Sequence, residues 1–225
     1  MKVGTDSILL GSWTPVGDEV KGILDIGTGS GLLALMLAQK SSAQTQITGI
    51  DIDAQAIHQA NINGGNSRWS DRLHFIHSPL QTFSPAAKFD LIVSNPPYFA
   101  ARQVQHQDVA EDIGPQRRQA RHTIALGHTD LLTHVARLLT TEGSFYCVLP
   151  QVESEVFILQ AAKANLHCHS QLKIRSKSAG MVIRQLLKFG FAEQSTEDDE
   201  LVIHAEGRSY SQQYKNLCKD YYLNF

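Results

Sequence analysis

Over the first two thirds of the chain, short apolar runs alternate with longer amphipathic stretches. Apolar runs of about 4–8 residues predict buried strands, and apolar residues spaced three and four apart predict helices. Four strands are therefore expected: Gly22–Ile26, Gln46–Asp51, Leu73–His77 and Phe89–Ser94. Helices are expected between them, one running to about Lys40 and one over residues 54–66 with Asp53 as its N-cap.

The pattern changes in the last third, where a short Ser/Gly turn joins two apolar runs and predicts an antiparallel pair of strands. The later elements are expected as follows: a polar surface loop at 101–119, a helix at 128–140, a strand at 144–149, a helix at 154–164, strands at 167–175 and 181–190, an acidic turn at 197–200, a short strand at 201–204 and a helical tail at 211–223.

Repeated strand–helix units predict an α/β fold, a doubly wound and mostly parallel sheet with helices on both faces. The late antiparallel hairpin is expected at one edge of that sheet. At 225 residues the chain can bury a full core, and we expect a single domain over residues 1–225.

Charge and cysteine content limit the binding partners and the cellular location that the sequence predicts. Twenty Lys and Arg stand against 22 Asp and Glu, a net charge of −2, so a nucleic-acid surface must be a local patch. Three cysteines lie far apart with no metal-binding spacing, which predicts a reduced, cytoplasmic protein without a metal site. The longest apolar run, residues 32–38, is too short to span a bilayer, and no signal peptide opens the chain.

A glycine-rich turn follows the first predicted strand, with Gly27 and Gly29 in the sequence Asp-Ile-Gly-Thr-Gly-Ser-Gly that starts at Asp25. Glycines allow positive φ and close approach of a ligand, and the following helix start offers free N–H groups. Asp51 ends the second strand, where a carboxylate can hold the hydroxyls of a ribose. These residues predict a nucleoside cofactor site.

Two cofactors compete for that site. A dinucleotide prefers Gly-x-Gly-x-x-Gly, and Asp25 would repel its pyrophosphate. S-adenosylmethionine has no phosphate, and the Asp25 carboxylate can accept a hydrogen bond from its ammonium group. S-adenosylmethionine is therefore the favoured cofactor. An alternative is that the glycines only make a tight turn.

The fourth predicted strand leads into Asn95, Pro96, Pro97 and Tyr98. Two prolines fix φ, remove two backbone donors and make a stiff extended loop. The Asn95 side-chain oxygen and the Pro96 carbonyl can then accept from one planar NH2 group, with the Tyr98 ring stacked alongside. The loop predicts methyl transfer to a nucleobase amine or a side-chain amide.

These motifs resemble the class I S-adenosylmethionine-dependent methyltransferases that carry an Asn-Pro-Pro-Tyr motif. The segment at 2–13, the stretch at 120–123 and the aromatic tail are similar to the bacterial tRNA(Val) adenine-37 N6-methyltransferases. The resemblance implies a Rossmann-like, seven-stranded sheet and methyl transfer to N6 of the adenine next to the anticodon, with S-adenosylhomocysteine as product. Protein-glutamine N5-methyltransferases and rRNA guanine N2-methyltransferases are the alternatives.

By position, the resemblance implies that the four residues from Asn95 to Tyr98 hold the adenine. The cofactor residues that it implies are Thr5, Asp6, Asp25, Gly27, Gly29 and Asp51. Many relatives bind the cofactor's adenine through an acid after the third strand. Leu80 and Gln81 take that place here. The family's aromatic segment before residue 2 is not part of this sequence.

Two basic clusters are candidates for binding the phosphates of a tRNA. Arg117, Arg118 and Arg121 follow the proline loop, and Lys173, Arg175 and Lys177 lie on the late hairpin. The alternative for the second cluster is a solvated face. The sequence otherwise predicts a monomeric enzyme with no metal and no membrane partner.

Overall fold

All strands of the computed structural model, which describes residues 4–96, 127–205 and 209–225, belong to one sheet. The strands are β1 Gly22–Ile26, β2 Gln46–Asp51, β3 Leu73–His77, β4 Phe89–Ser94, β5 Leu139–Pro150, β6 His167–Lys177, β7 Val182–Gly190 and β8 Glu197–His204. Their order across the sheet is β3-β2-β1-β4-β5-β7-β6-β8.

The helices of the described residues flank this sheet. They are α1 Thr5–Trp13, α2 Leu32–Lys40, α3 Ala54–Gly65, α4 His128–Leu138, α5 Gln151–Lys163 and α6 Gln212–Cys218, the last continuing into a 3-10 turn at Lys219–Tyr221. Within the described ranges no helix has the length and apolar character needed to cross a bilayer.

The predicted fold class is confirmed. Strands β1 to β5 pair in parallel, β7 runs antiparallel to both β5 and β6, and β8 pairs in parallel with β6. Apolar side chains alternate between the faces of each strand, so Ile23 joins a core under α1, α2 and α6, and Leu24 joins a core under α4 and α5.

The sheet differs from the prediction in two ways. It has the eight strands that the hydrophobic pattern predicts and not the seven that the resemblance implies, and the β6–β7 hairpin is not outermost because β8 lies beyond β6. The predicted acidic turn at 197–200 is wrong, since these residues form the first half of β8. Asp198 lies 3.6 Å from Lys173 of β6, and Glu200 lies 2.8 Å from Arg175. Opposite charges on adjacent strands are compatible with an extended conformation here, although such partly exposed pairs add little stability.

Helix α1 was not anticipated. Its Leu9 and Leu10 side chains are fully buried against the sheet and neighbouring helices. Gly11 faces α2, where a Cβ would lie 2.6 Å from the Met36 Cε atom, so a side chain there would displace the end of Met36. The segment before the glycine turn is therefore part of the fold.

Candidate active site

Three of the predicted site segments meet at the carboxyl edge of the sheet. In the register of the sheet, Ile26 of β1 lies beside Ile50 of β2 on one side and Ser94 of β4 on the other. The Ser94 hydroxyl donates to the Ile26 carbonyl at 2.9 Å and ties these strand ends together. The strand order reverses between β1 and β4, the position where such sheets bind ligands.

The glycine turn has the backbone that its sequence predicts. Gly27, Gly29 and Gly31 have φ values of 71°, 57° and 81°, in the left-handed region that favours glycine. A Cβ at Gly27 would meet no atom within 4 Å, so this side of the turn faces open space. A Cβ at Gly31 would lie 2.9 Å from the Phe75 ring, so that glycine is required by packing.

Asp25 lies beneath this turn and is completely buried. One carboxylate oxygen accepts a 2.6 Å hydrogen bond from the Thr28 hydroxyl. The other, Oδ1, is also buried and has no hydrogen-bond partner among the residues that the structure describes. Burial raises the pKa of Asp25 to about 7, although the Thr28 hydrogen bond opposes the rise. A cationic group at the turn would satisfy this oxygen, and the turn must shift slightly to admit it.

Asp51 is fixed at the end of β2. Its two carboxylate oxygens accept from the backbone N–H groups of Gly29 and Asp53, each at 2.9 Å. Because a carboxylate oxygen can accept more than one hydrogen bond, both oxygens retain capacity for ligand hydroxyls. Asp53 caps α3 as predicted, accepting from the Gln55 N–H at 2.8 Å.

Asn95 is half-buried at the end of β4 and is oriented by α1. Its Nδ2 donates to the Ser7 hydroxyl at 2.9 Å. This hydrogen bond fixes the orientation of the amide, whose other polar atom, Oδ1, is an acceptor. Pro96 is buried. Pro97 and Tyr98 lie outside the described residues.

The remaining predicted cofactor residues have other partners. The Asp6 carboxylate accepts from Arg184 Nε of β7 at 2.9 Å, and Thr5 and Asp6 line a cleft against β6, β7 and β8. Leu80 is buried in the core under α4. Gln81 donates to the Asp130 carboxylate of α4 at 2.6 Å. No described contact joins these residues to the glycine turn, and their cofactor role stays a prediction.

The two basic clusters have different outcomes. Arg117, Arg118 and Arg121 lie outside the described residues. Lys173 and Arg175 are paired with the carboxylates of β8, and Lys177 is exposed at the end of β6. Among the described residues no group of three or more His, Cys, Asp or Glu side chains is arranged to hold a metal.

Sequence reasoning missed Ser7 and Ile52 at this edge, and it missed the contact of Arg184 with Asp6. Ser7 and Arg184 act through contacts with Asn95 and Asp6 that are remote in sequence. Ile52 is 51% exposed directly after Asp51, where an apolar side chain can cover a ligand ring. An apolar residue following the carboxylate at a strand end was the signal for Ile52.

Comparison with known proteins gives relatives over the whole chain. The family profile described as "Methyltransferase small domain" matches residues 7–120. The tRNA1(Val) (adenine(37)-N6)-methyltransferase of Pseudoalteromonas atlantica is 47% identical over 248 residues, covering 100% of this chain and 93% of that protein. The protein of the same name from Salmonella enteritidis is 41% identical over 225 residues, covering 99% and 89%.

Solved structures share the architecture. A protein of Agrobacterium tumefaciens described as a predicted O-methyltransferase has a TM-score of 0.71 at 14% identity, covering 96% of both chains. The glycopeptide N-methyltransferase MtfA, complexed with S-adenosylmethionine, has a TM-score of 0.54 at 11% identity, covering 77% of this chain and 82% of that one. At these identities the likeness establishes the fold alone.

Proposed function

Because the chain belongs to the Methyltransferase small domain family, we propose that it is an S-adenosylmethionine-dependent tRNA methyltransferase. It methylates the exocyclic N6 amine of adenine 37 in tRNA(Val). Relatives that carry this activity in their names match the chain over its full length at 41–47% identity. The observation that carries the proposal is the position of Asn95, held by Ser7 at the strand end next to the glycine turn.

The glycine turn and Asp51 fit the cofactor. Gly27 faces open space, and Asp51 presents a fixed carboxylate for the ribose hydroxyls. The orphaned Oδ1 of Asp25 suits the ammonium group of the cofactor's amino-acid end. When bound, S-adenosylmethionine supplies an electrophilic methyl group and leaves as S-adenosylhomocysteine.

Asn95 and Pro96 make the amine a better nucleophile. The lone pair of an adenine N6 amine is delocalised into the ring, so the nitrogen reacts poorly. The amine donates its two hydrogens to Asn95 Oδ1 and to the Pro96 carbonyl. These two hydrogen bonds favour a pyramidal nitrogen with its lone pair directed at the methyl carbon. Acceptors fixed in advance also stabilise the developing positive charge, and the extra proton then leaves to solvent.

The RNA contacts are part of the proposal. Tyr98 stacks on the target adenine, a contact worth roughly 1–3 kcal/mol per base. Pro97 is part of the proposed adenine site. Arg117, Arg118, Arg121 and Lys177 bind phosphates of the tRNA. Because the named relatives modify tRNA, we place the enzyme in the cytoplasm, and we propose that it is a monomer with a single domain.

The test supplies purified protein with labelled S-adenosylmethionine and two tRNA(Val) transcripts, one with adenine and one with guanine at position 37. Label should enter only the adenine transcript, as N6-methyladenosine. The Asn95→Ala variant should lose at least about 100-fold in kcat, because a preorganised acceptor is removed, while its affinity for S-adenosylmethionine changes little. Equal labelling of both transcripts, or label found in protein, would refute the proposed substrate. Unchanged turnover by the variant would refute the role of Asn95.

A further inference from the structure

A cleft of about 270 Å3 opens between the start of α1 and residues of β6, β7 and β8. We propose that it holds a second, unstacked base of the RNA substrate, a neighbour of the target adenine. This inference rests on the proposed function, because it assumes an RNA substrate. It also gives Thr5 and Asp6 a different ligand from the cofactor that the resemblance implies.

The cleft lies next to the target site along α1. Asp6 lines the cleft, while Ser7, the following residue, is hydrogen-bonded to Asn95. Consecutive Cα atoms are about 3.8 Å apart. The first turn of α1 therefore borders both the cleft and the target site, and none of the residues lining the cleft belongs to the glycine turn.

Aromatic rings form one wall. Tyr210 stacks on Tyr214 with ring centroids 4.8 Å apart, and His204 stacks on Tyr210 at 5.4 Å. His204 and Tyr210 both line the cleft, so this column of rings ends there. Unpaired RNA bases bind to proteins by stacking on aromatic side chains, histidine included. A base entering the cleft can extend the column by one ring.

The rest of the lining suits the two sides of a base. Ile183 is 39% exposed and provides apolar contact for a ring, while Leu9, Ile174 and Ile203 are buried beneath the cleft. Asp6 and Arg184 form an ion pair whose side chains are 22% and 29% exposed, placing a carboxylate and a guanidinium at the edge of the cleft. Both groups can hydrogen-bond to a base edge.

The size and the surrounding charge agree with this ligand. Pockets for drug-sized ligands occupy about 300–1,000 Å3, so a cleft just below that range suits a single ring system. Lys177 is exposed on β6 and is the register partner of His204 on β8. Its ammonium group can bind the phosphate of a nucleotide whose base is in the cleft.

The experiment measures methylation of an anticodon hairpin in which the base on either side of the target adenine is removed in turn. With the wild type, loss of the base that occupies the cleft should raise KM roughly ten-fold, as expected for one lost stacking contact. The His204→Ala variant should show a similar rise in KM with the intact hairpin. For this variant, KM should not rise further when the abasic hairpin replaces the intact one. Its affinity for S-adenosylmethionine should match the wild type.

Ile183→Glu provides a second variant, since Ile183 lines the cleft and is 39% exposed. Met181→Glu adds the same charge nearby at an 85% exposed position that does not line the cleft, and His74→Ala is the control for His204. For both controls, Met181→Glu and His74→Ala, removing the base should raise KM as much as it does for the wild type; this rise is the abasic penalty. The inference is overturned if no abasic hairpin affects the wild type, or if His204→Ala and Ile183→Glu keep the penalty. A wild type that methylates no RNA would instead refute the proposed function.

Discussion

The amide of Asn95 has a fixed orientation because a residue 88 positions away in sequence holds its nitrogen. Ser7 is thus a positioning residue in the proposed mechanism, acting through Asn95. An asparagine side chain that can rotate presents its acceptor to the substrate for only part of the time. The contact connects α1, which the sequence did not predict as a helix, with the reaction.

Ser7→Ala should lower kcat about ten-fold, which corresponds to about 1.4 kcal/mol, within the range for a lost hydrogen bond that orients a polar group. The affinity for S-adenosylmethionine should stay within roughly two- to three-fold of the wild type, because a change of this size is no larger than the effect of one weak hydrogen bond. Steady-state kinetics with the tRNA transcript and calorimetry measure the two quantities. Ser7→Thr keeps the hydroxyl and should recover most of the activity. Equal loss in both variants would mean that packing, and not the hydrogen bond, matters.

Asp25 should make the stability of the protein depend on pH. Burial raises the pKa of Asp25 from 3.8 to about 7, so between these values the folded protein holds a proton that the unfolded chain releases. This contribution to stability is fully present below about pH 4 and is lost as the pH rises through about 7. The difference corresponds to at most ~4 kcal/mol.

Asp25→Asn removes the titrating group and keeps an acceptor for Thr28. The difference between the Tm of this variant and the Tm of the wild type should therefore be more positive at pH 8 than at pH 5. Thermal unfolding without cofactor measures both Tm values. Asp18→Asn changes an exposed carboxylate and serves as control. A Tm difference for Asp25→Asn that is the same at both pH values would contradict the assignment.

At the scale of elements, β8 decides how much positive charge the late hairpin presents. Its carboxylates pair with Lys173 and Arg175, which the sequence predicted as RNA-binding residues. Both ion pairs are partly exposed, so they contribute little to stability, and their main effect is on the electrostatic field of this face.

Replacing Asp198 by Asn and Glu200 by Gln should strengthen tRNA binding about three- to ten-fold at ~0.1 M salt and steepen its salt dependence, because two cations are released for phosphates. Lys173→Glu with Arg175→Glu should have the opposite effect. Fluorescence anisotropy over a salt series measures both, with Glu155→Gln on α5 as control. If neither pair of changes alters binding, the hairpin does not contact the tRNA.

The sequence predicted β1 to β4 to the residue, because each is a short apolar run with polar or glycine boundaries. Other boundaries depend on contacts that no local pattern contains. Leu139 continues the apolar face of α4 in sequence, yet it begins β5 because it pairs with Phe89 of β4. The acidic start of β8 is extended because of its cross-strand partners.

The same distinction holds for the candidate site. The meeting of Gly27, Asp51 and Asn95 follows from parallel strands, whose carboxyl ends share one edge. The hydrogen bond between Asp6 and Arg184 joins residues 178 positions apart, and no sequence motif predicts it. The functional roles of all these residues stay predictions until the variants are measured.

At the scale of the whole molecule, the C-terminal tail holds α1 and α2 together on one face of the sheet. Tyr214 and Cys218 are fully buried, and the Tyr221 hydroxyl donates to the Met36 carbonyl at 3.0 Å. The tail therefore stabilises the helix that carries Ser7 and Asp6.

Tyr214→Ala should lower the free energy of unfolding by about 3–5 kcal/mol, as for other large aromatic truncations in a core. Tyr221→Phe removes one hydrogen bond and should cost about 1 kcal/mol. Urea denaturation measures both. Equal, small losses would show that the tail contributes little to the core.

Four consecutive carboxylates, from Glu197 to Glu200, begin the strand that ends the sheet. An outermost strand exposes unpaired backbone groups, which invite pairing with the sheet of another molecule. Addition of a second copy in parallel register would bring two rows of negative charge together. Beyond its ion pairs with β6, this acidic segment thus protects the protein from growing into fibrous aggregates.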